Sequence, residues 1–531
     1  AMQLREKLIQ IKCLAVGFTC CMLSSQVTST KLFETEPYIF SFLVEAILPE
    51  NSSLVSRDVY FAAIRALECI SFKKVWGAEL IRTMGGNVSH GILFQCLRHI
   101  WKMVKDQKED YFEEGYIHFF NLIGNLISNK SLVPKLTAGG ILDDLMPFLN
   151  LPTKYRWSCS AAVHLITMYL ASAKDSLDEF VANDGFNLLI GNIRREVDFA
   201  LENPEFGGGA PKDAIVYYSI TLRQANYIRN LMKLVADLIQ SDLGDRLRNL
   251  FDSPLLESFN KVLTHPHVFG PSILAATIDS VFFIIHNEPT AFSILNEAKV
   301  IDTILDNYES LFLPSGPLLQ ILPEVLGAIC LNNEGLNKVK DKKLIQVFFK
   351  SFYNLNNAKE LVRTELSTNL GCSLDELGRH YTSLKPIILQ QLLELIENMS
   401  EYVNQRLPGI EFYTSDSGSL FSGKGDDSPV KVENGKEITS WENEDSAYLL
   451  DNVFNFLGGL LQDSGQWGTD VIQKISFKSW IKLLTLRNAP WDYSMSNGIV
   501  SFMGILKYFD DEKREYGLPV IIEELDKTLK L

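Results

Sequence analysis

One stripe of apolar residues returns along this chain and sets what it can fold into. After Gly139-Gly140, Ile141, Leu142, Leu145, Phe148 and Leu149 stand at i, i+1, i+4, i+7 and i+8, one face of an α-helix, with Asp143 and Asp144 pointing away. Phe186, Leu189, Ile190 and Ile193 repeat the pattern after Asp184-Gly185; Val300, Ile301, Ile304, Leu305 and Tyr308 after Lys299; Leu344, Ile345, Phe348, Phe349 and Phe352 after Lys343. Adjacent stripes start 45 and 44 residues apart (186 − 141 and 344 − 300), inside the period of roughly 40–47 residues of armadillo and HEAT units. Upstream, GNLISN (124–129) and GAICLN (327–332) share a Gly-x-[Leu/Ile]-x-x-Asn pattern, each asparagine 12 residues before its stripe (141 − 129 and 344 − 332). Each unit therefore reads as a helix ending near Asn, a short second helix, a turn often carrying Gly, and a third amphipathic helix. Stacked units bury a continuous core. Strand signals are nearly absent, so the expected fold is all-α, an armadillo/HEAT-like helical solenoid.

The blocks follow from composition along the chain. Residues 1–200 read as armadillo-like repeats, and 201–213, containing ENPEFGGGAPKD, as a flexible loop. Residues 214–400 carry further repeats. From 401 to 447 the chain turns polar and acidic (SDSGSLFSGKGDDSP, KVENGKEITSWENEDS), too poor in apolar residues to fold alone, and is expected to be mobile. Residues 448–531 resume with YLLDNVFNFLGGLL, and DVIQKISFKSWIKLL reads as another third helix.

With 46% hydrophobic residues, the 531-residue chain can bury several cores. Lys and Arg number 50 against 65 Asp and Glu, a net charge of −15 and a pI near 5.2, so the surface as a whole repels nucleic acid and anionic lipid and favours basic partners. The eight cysteines (13, 20, 21, 69, 96, 159, 330, 372) lie mostly in apolar runs such as IKCLAVGFTCCML, where a thiol acts as a small hydrophobe. No disulfide framework and a reducing compartment are expected. No run reaches the roughly 18 uninterrupted apolar residues of a membrane span, and AMQLREKLIQ lacks a signal peptide's apolar centre. A soluble intracellular protein is expected. Ala1-Met2 reads as a cloning remnant before mid-domain sequence, so a longer parent is expected.

Chemistry-bearing residues are few and scattered. His286, Asn287 and Glu288 precede Pro289 at the end of IDSVFFIIH. A metal or acid/base site there needs ligands from elsewhere, whereas a helix end explains all four: a histidine at the last carbonyls, an asparagine tolerating the left-handed conformation, and a proline in the next first turn. The corner is the better reading. His265 and His267 form an H-x-H pair beside proline, without partners that would hold zinc. His90 and His99 lack the HExxH glutamate, no C-x-x-C occurs, SGKGDDSP lacks the phosphate-loop spacing, and G-x-S-x-G is missing. Cys20-Cys21 sits in an apolar helix and reads as core. None of the seven tryptophans has the asparagine four residues on that lines importin-type grooves. No catalytic, cofactor-binding or metal residue is assigned.

Longer strings carry a resemblance. TMGGNVSHGILFQCLR, NDGFNLLIGNIRREVDF, VYYSITLRQANYIRNLMKL, HPHVFGPSILAATIDSVFFIIHNEPTAFSILNEA, LGAICLNNEGL, STNLGCSLDELGRHYTSLKP and IKLLTLRNAPWDYSMS resemble the N-terminal armadillo-like arm of the giant HECT-type E3 ubiquitin ligases, the fungal Tom-type and animal Mule family, in order and over nearly the whole chain. The resemblance implies a non-catalytic arm whose parent carries a thioester-forming cysteine in a distant HECT domain, which this chain lacks; Thr19-Cys20 does not resemble that cysteine's loop. It implies two consecutive uncharacterised domains at about 1–200 (truncated) and 214–531, a scaffold and substrate-recruiting role, and a place in nucleus and cytoplasm. It also implies basic substrates such as unassembled histones or ribosomal proteins, contacts with the remainder of the ligase, and a ubiquitin-charged conjugating enzyme engaged only through the HECT domain. No cofactor, membrane or direct nucleic-acid partner is expected. A stand-alone binding or transport adaptor is the alternative. Where relatives often place glycine before the third helix, this chain has Lys299, Lys343 and Ser476, so these turns are not expected to require a left-handed residue.

Overall fold

The break before each stripe is the same backbone device, used four times. Gly140, Asp184, Lys299 and Lys343 take φ of 79°, 58°, 61° and 53°, and they recur 44 residues apart in each pair (184 − 140 and 343 − 299). Each N–H closes the short helix before it, donating to the carbonyl three residues back at 3.0–3.1 Å: Thr137, Val181, Asn296 and Lys340. Each carbonyl opens the next helix, accepting from Asp144, Leu188, Thr303 and Val347. The two lysines are therefore left-handed, contrary to the expectation from sequence. The geometry of the corner is set by the stacked helices, and the residue type follows at a cost of about 1–2 kcal/mol for a side chain with a Cβ. Lys343 is exposed, so Lys343→Gly loses little packing and is expected to raise thermal stability by up to about 1 kcal/mol. A lower melting temperature would contradict this.

The computed structural model describes residues 2–22, 38–51, 54–151, 153–173, 176–203, 219–241, 254–405, 431–433, 436–438 and 441–461, with a few single positions beyond. They fall into two compact units, one of Ala1–Asn203 with Thr221–Ser258, the other of Pro204–Ile220 with Phe259–Leu531. In the first unit the long helices Met2–Met22, Arg57–Ser71, Glu113–Ser128, Arg156–Ser172 and Leu222–Gln240 each pack on the next. In the second, Pro271–Asn287, Gly316–Cys330, Ser367–His380 and Trp441–Leu461 do the same. This is the armadillo/HEAT-like helical stacking that the period demands.

The stripes are core. Ile141, Leu142, Leu145, Phe148 and Leu149 are buried, as are the stripe residues after Lys299 and Lys343; Phe186 alone of the named set is half-buried. Asp143 is exposed, but Asp144 turns inward and accepts from Arg98 Nε of the preceding repeat at 2.7 Å. The repeat asparagines have different uses. Asn129 Oδ1 accepts from the N–H and hydroxyl of Ser131, and Asn332 caps helix 333–341 by accepting from the Glu334 N–H.

Helix Lys385–Gln405 runs into the polar stretch, and helix Trp441–Leu461 emerges from it to lie on Ser367–His380. Between them is a departure from the all-helical expectation: strand Lys431–Glu433 pairs antiparallel with Lys436–Ile438, Val432 opposite Glu437. Asn434-Gly435 between the strands is a strong hairpin signal. The remainder of the expected mobile insertion, most of loop 201–213, the Ser476 turn and the third helix in DVIQKISFKSWIKLL lie outside the described residues. Helices 367–380 and 441–461 meet backbone to backbone: a Cβ on Gly459 would overlap the Thr368 carbonyl, and one on Gly371 the Phe456 carbonyl. Gly459→Ala is expected to cost about 3 kcal/mol because two helices must part, lowering the melting temperature. An unchanged melt would mean that this contact does not form.

Among the described residues no helix is long and apolar enough to cross a membrane.

Candidate interaction surface

The histidines do not converge. His286 is exposed and its ring stacks on Phe282, centroids 5.5 Å apart. Helix Pro271–Asn287 ends there with Glu288 N–H on the Ile284 carbonyl at 3.0 Å, and Pro289 opens the next turn, Pro289–Ala291. The site is a corner, with two corrections: the His286 ring stacks on Phe282 and does not bond the last carbonyls, and the asparagine is not left-handed. Asn287 remains helical, because the break falls at Glu288, which takes φ −134° and ψ 83°. His265 Nδ1 lies 2.9 Å from both the Lys261 carbonyl and the Thr264 hydroxyl, its ring 6.1 Å from that of His267. Burial, helped by the neighbouring His265, pushes the His267 pKa down, and burial lowers that of His99. Among the described residues no three His, Cys, Asp or Glu side chains gather as a metal site.

The thiols divide. Cys13, Cys96, Cys159 and Cys330 are buried, and burial pushes the last three up to about 12, which removes the thiolate needed for nucleophilic attack. Cys69 is half-buried. Cys372, expected in the core, is exposed, because helix 367–380 turns that position outward while Leu370 and Leu374 face in. The side chains of Cys20 and Cys21 lie outside the described residues.

What the first unit does assemble is a polar seam along its long helices. Between helices 57–71 and 113–128, His118 Nδ1 lies 2.6 Å from Glu68 Oε2, Asn121 donates to Glu68 Oε1 at 2.8 Å, and Asn125 donates to Ser71 at 2.8 Å. On the next pair, Ser158 N–H donates to Glu113 at 3.0 Å. On the third, Asn230 donates to the Ser160 carbonyl at 3.2 Å and hydroxyl at 2.9 Å. Arg223 ties two of these helices, donating to Glu113 at 3.0 Å and Glu114 at 2.7 Å while its guanidinium lies 4.8 Å over the Trp157 ring. Burial raises the Glu113 pKa; the Ser158 N–H and Arg223 oppose it. In the second unit the corresponding helices carry Glu324, raised first by burial and further by Glu376, with Gln320 opposing. Glu68, Ser71, Glu113, Ser158 and Ser160 are buried, so these bonds tie neighbouring repeats to one another, while exposed Arg223 and its partner Glu114 mark where the seam reaches the surface. Sequence reading missed it because each polar residue alone resembles a solvated helix position.

Over residues 160–492 the chain matches DUF913, and over residues 1–102 DUF908, both described as domains of unknown function. The chain belongs to the DUF913 family. It is 36% identical to the probable E3 ubiquitin-protein ligase TOM1 of Eremothecium gossypii, across 99% of this chain and 16% of that one, and 36% identical to the E3 ubiquitin-protein ligase TOM1 of Saccharomyces cerevisiae at the same coverage. The mouse E3 ubiquitin-protein ligase HUWE1 is 21% identical over 61% of this chain and 8% of its own length. These DUF913 relatives are the Tom-type and Mule-type ligases that the sequence strings resemble. The chain spans about a sixth of the length of the fungal relatives it matches. Among solved structures, an engineered protein overlaps 94% of the chain and 98% of its own at 13% identity and a TM-score of 0.44.

Proposed function

We propose that this chain is a non-catalytic scaffold and substrate-recruiting arm of a giant HECT-type E3 ubiquitin ligase acting in nucleus and cytoplasm. The observation that carries the reading is the 36% identity to ubiquitin ligases along 99% of the chain, combined with a helical array whose described interior thiols are not poised for thioester chemistry. The excess of 65 acidic over 50 basic residues favours basic substrates, among them unassembled histones and ribosomal proteins. Ubiquitin arrives through the parent's HECT domain and its conjugating enzyme, and the arm's part is to hold the substrate within reach, raising its effective concentration.

The chain incubated with ubiquitin-activating enzyme, a conjugating enzyme and ubiquitin is expected to form no reducible adduct, since transfer needs an activated thiolate. Cys372 is the exposed thiol to watch. An adduct lost in Cys372→Ser would overturn the non-catalytic reading.

A further inference from the structure

Helices 156–172 and 222–240 of the first unit leave one stretch of seam that runs against the charge of the molecule. Arg229 and Lys233 are exposed one helical turn apart, and across the seam stands exposed His164. Among the described residues neither Arg229 nor Lys233 enters a salt bridge. Glu114 is taken by Arg223, and half-buried Asp237 stands one turn beyond Lys233. The crowding is felt by His164, whose pKa is lowered by burial and further by Lys233 and Arg229. Between the cations, Asn230 is held in place by Ser160, and Trp157 Nε1 has no hydrogen-bond partner among the described residues. The charged side chains exposed along this stretch, Arg229 and Lys233, are both cations. Asp237 interacts with Lys233 but lies beyond the pair, and in a chain of net charge −15 two cations placed together with so little counter-charge favour an anion that covers them.

We infer that the seam formed by His164, Arg229, Asn230 and Lys233 is a docking site for an extended acidic peptide segment of a partner protein. The dimensions fit this occupant. From Arg223 to Lys233 the helix rises about 15 Å, the length of roughly five extended residues. Carboxylates on alternate residues of such a strand lie about 6.6 Å apart, close to the separation of side chains one turn apart on a helix. The overall negative charge argues against a nucleic acid, whose affinity comes from neutralising many phosphates, whereas a short segment feels mainly the cations within a Debye length of about 8–10 Å. The site is independent of the ligase reading, and it takes the charge opposite to that of the basic substrates proposed above.

The probe is a fluorescein-labelled (Glu-Ser)6 peptide, titrated with the whole 531-residue chain and followed by anisotropy. Saturable, salt-sensitive binding is expected, weakened about tenfold or more by Arg229→Glu/Lys233→Glu. It is expected to be little changed by Lys130→Glu/Lys135→Glu, an equal charge change at exposed positions elsewhere in the same unit. Circular dichroism melts establish that each variant is folded. No saturable binding to the folded chain, or equal weakening by both variants, would overturn the assignment. Tighter binding of a 12-nucleotide single-stranded DNA than of the peptide would overturn it in favour of a nucleic-acid surface.

Discussion

Phe148→Ala is expected to destabilise the first unit by about 3–5 kcal/mol, and Leu145→Ala by about 2–5 kcal/mol. Both side chains are fully buried, and the Phe148 ring meets Phe120 of helix 113–128 edge to face at 5.5 Å, so truncation leaves a cavity between two helices that cannot close up without moving the repeat. Asp143→Ala, two residues before Leu145 on the exposed side, is expected to fall within about 0.5 kcal/mol of the parent. Thermal unfolding separates the cases. Equal small losses at all three positions would mean that the stripe does not face the core.

Arg156→Ala is expected to cost about 3–5 kcal/mol for a different reason. Arg156 Nε donates to Glu196 Oε2 at 2.9 Å, and the guanidinium lies 4.8 Å over the Phe199 ring. Glu196 is completely buried, with Arg195 Nε 3.9 Å from its other oxygen. Burial holds the Glu196 pKa above its usual range while Arg156 draws it down, so removing the arginine strands a carboxylate and raises that pKa further. A group whose folded pKa lies above its unfolded value adds stability below the unfolded pKa and loses it as pH rises through the folded one. The Arg156→Ala penalty should therefore be largest at neutral pH and shrink in acid. Arg156→Met combined with Glu196→Gln is expected to recover most of the loss, because the neutral pair leaves no buried charge. Melting the single and double variants at neutral and acidic pH tests both statements; a penalty that grew in acid would contradict them.

Legibility from sequence followed the physics of each feature. The stripes after residues 140, 299 and 343 were readable because burial on one helix face enforces a 3.6-residue period that polar residues cannot imitate. The left-handed corners were not, since Asp184, Lys299 and Lys343 adopt a glycine-like conformation imposed by the stack and unmarked by residue type. Arg156 and Glu196 were invisible because a charged residue on an amphipathic helix is normally solvated, and the pair is buried where helix 222–240 packs on both helix 156–172 and helix 185–202. The return of helix 441–461 to helix 367–380 was hidden by the long polar stretch between them, although Gly459 and Gly371 mark where backbones meet. The polar seam needed four helices brought side by side before its donors formed a line. The family, by contrast, was legible outright from the long matching strings.

Whether this segment recruits without catalysing is read by comparing the parent ligase with the same ligase lacking these 531 residues, following HECT thioester loading and conjugation of ubiquitin to an unassembled histone in parallel. Loading is expected to persist while conjugation falls steeply; loss of loading, or undiminished conjugation, would contradict a recruiting, non-catalytic role.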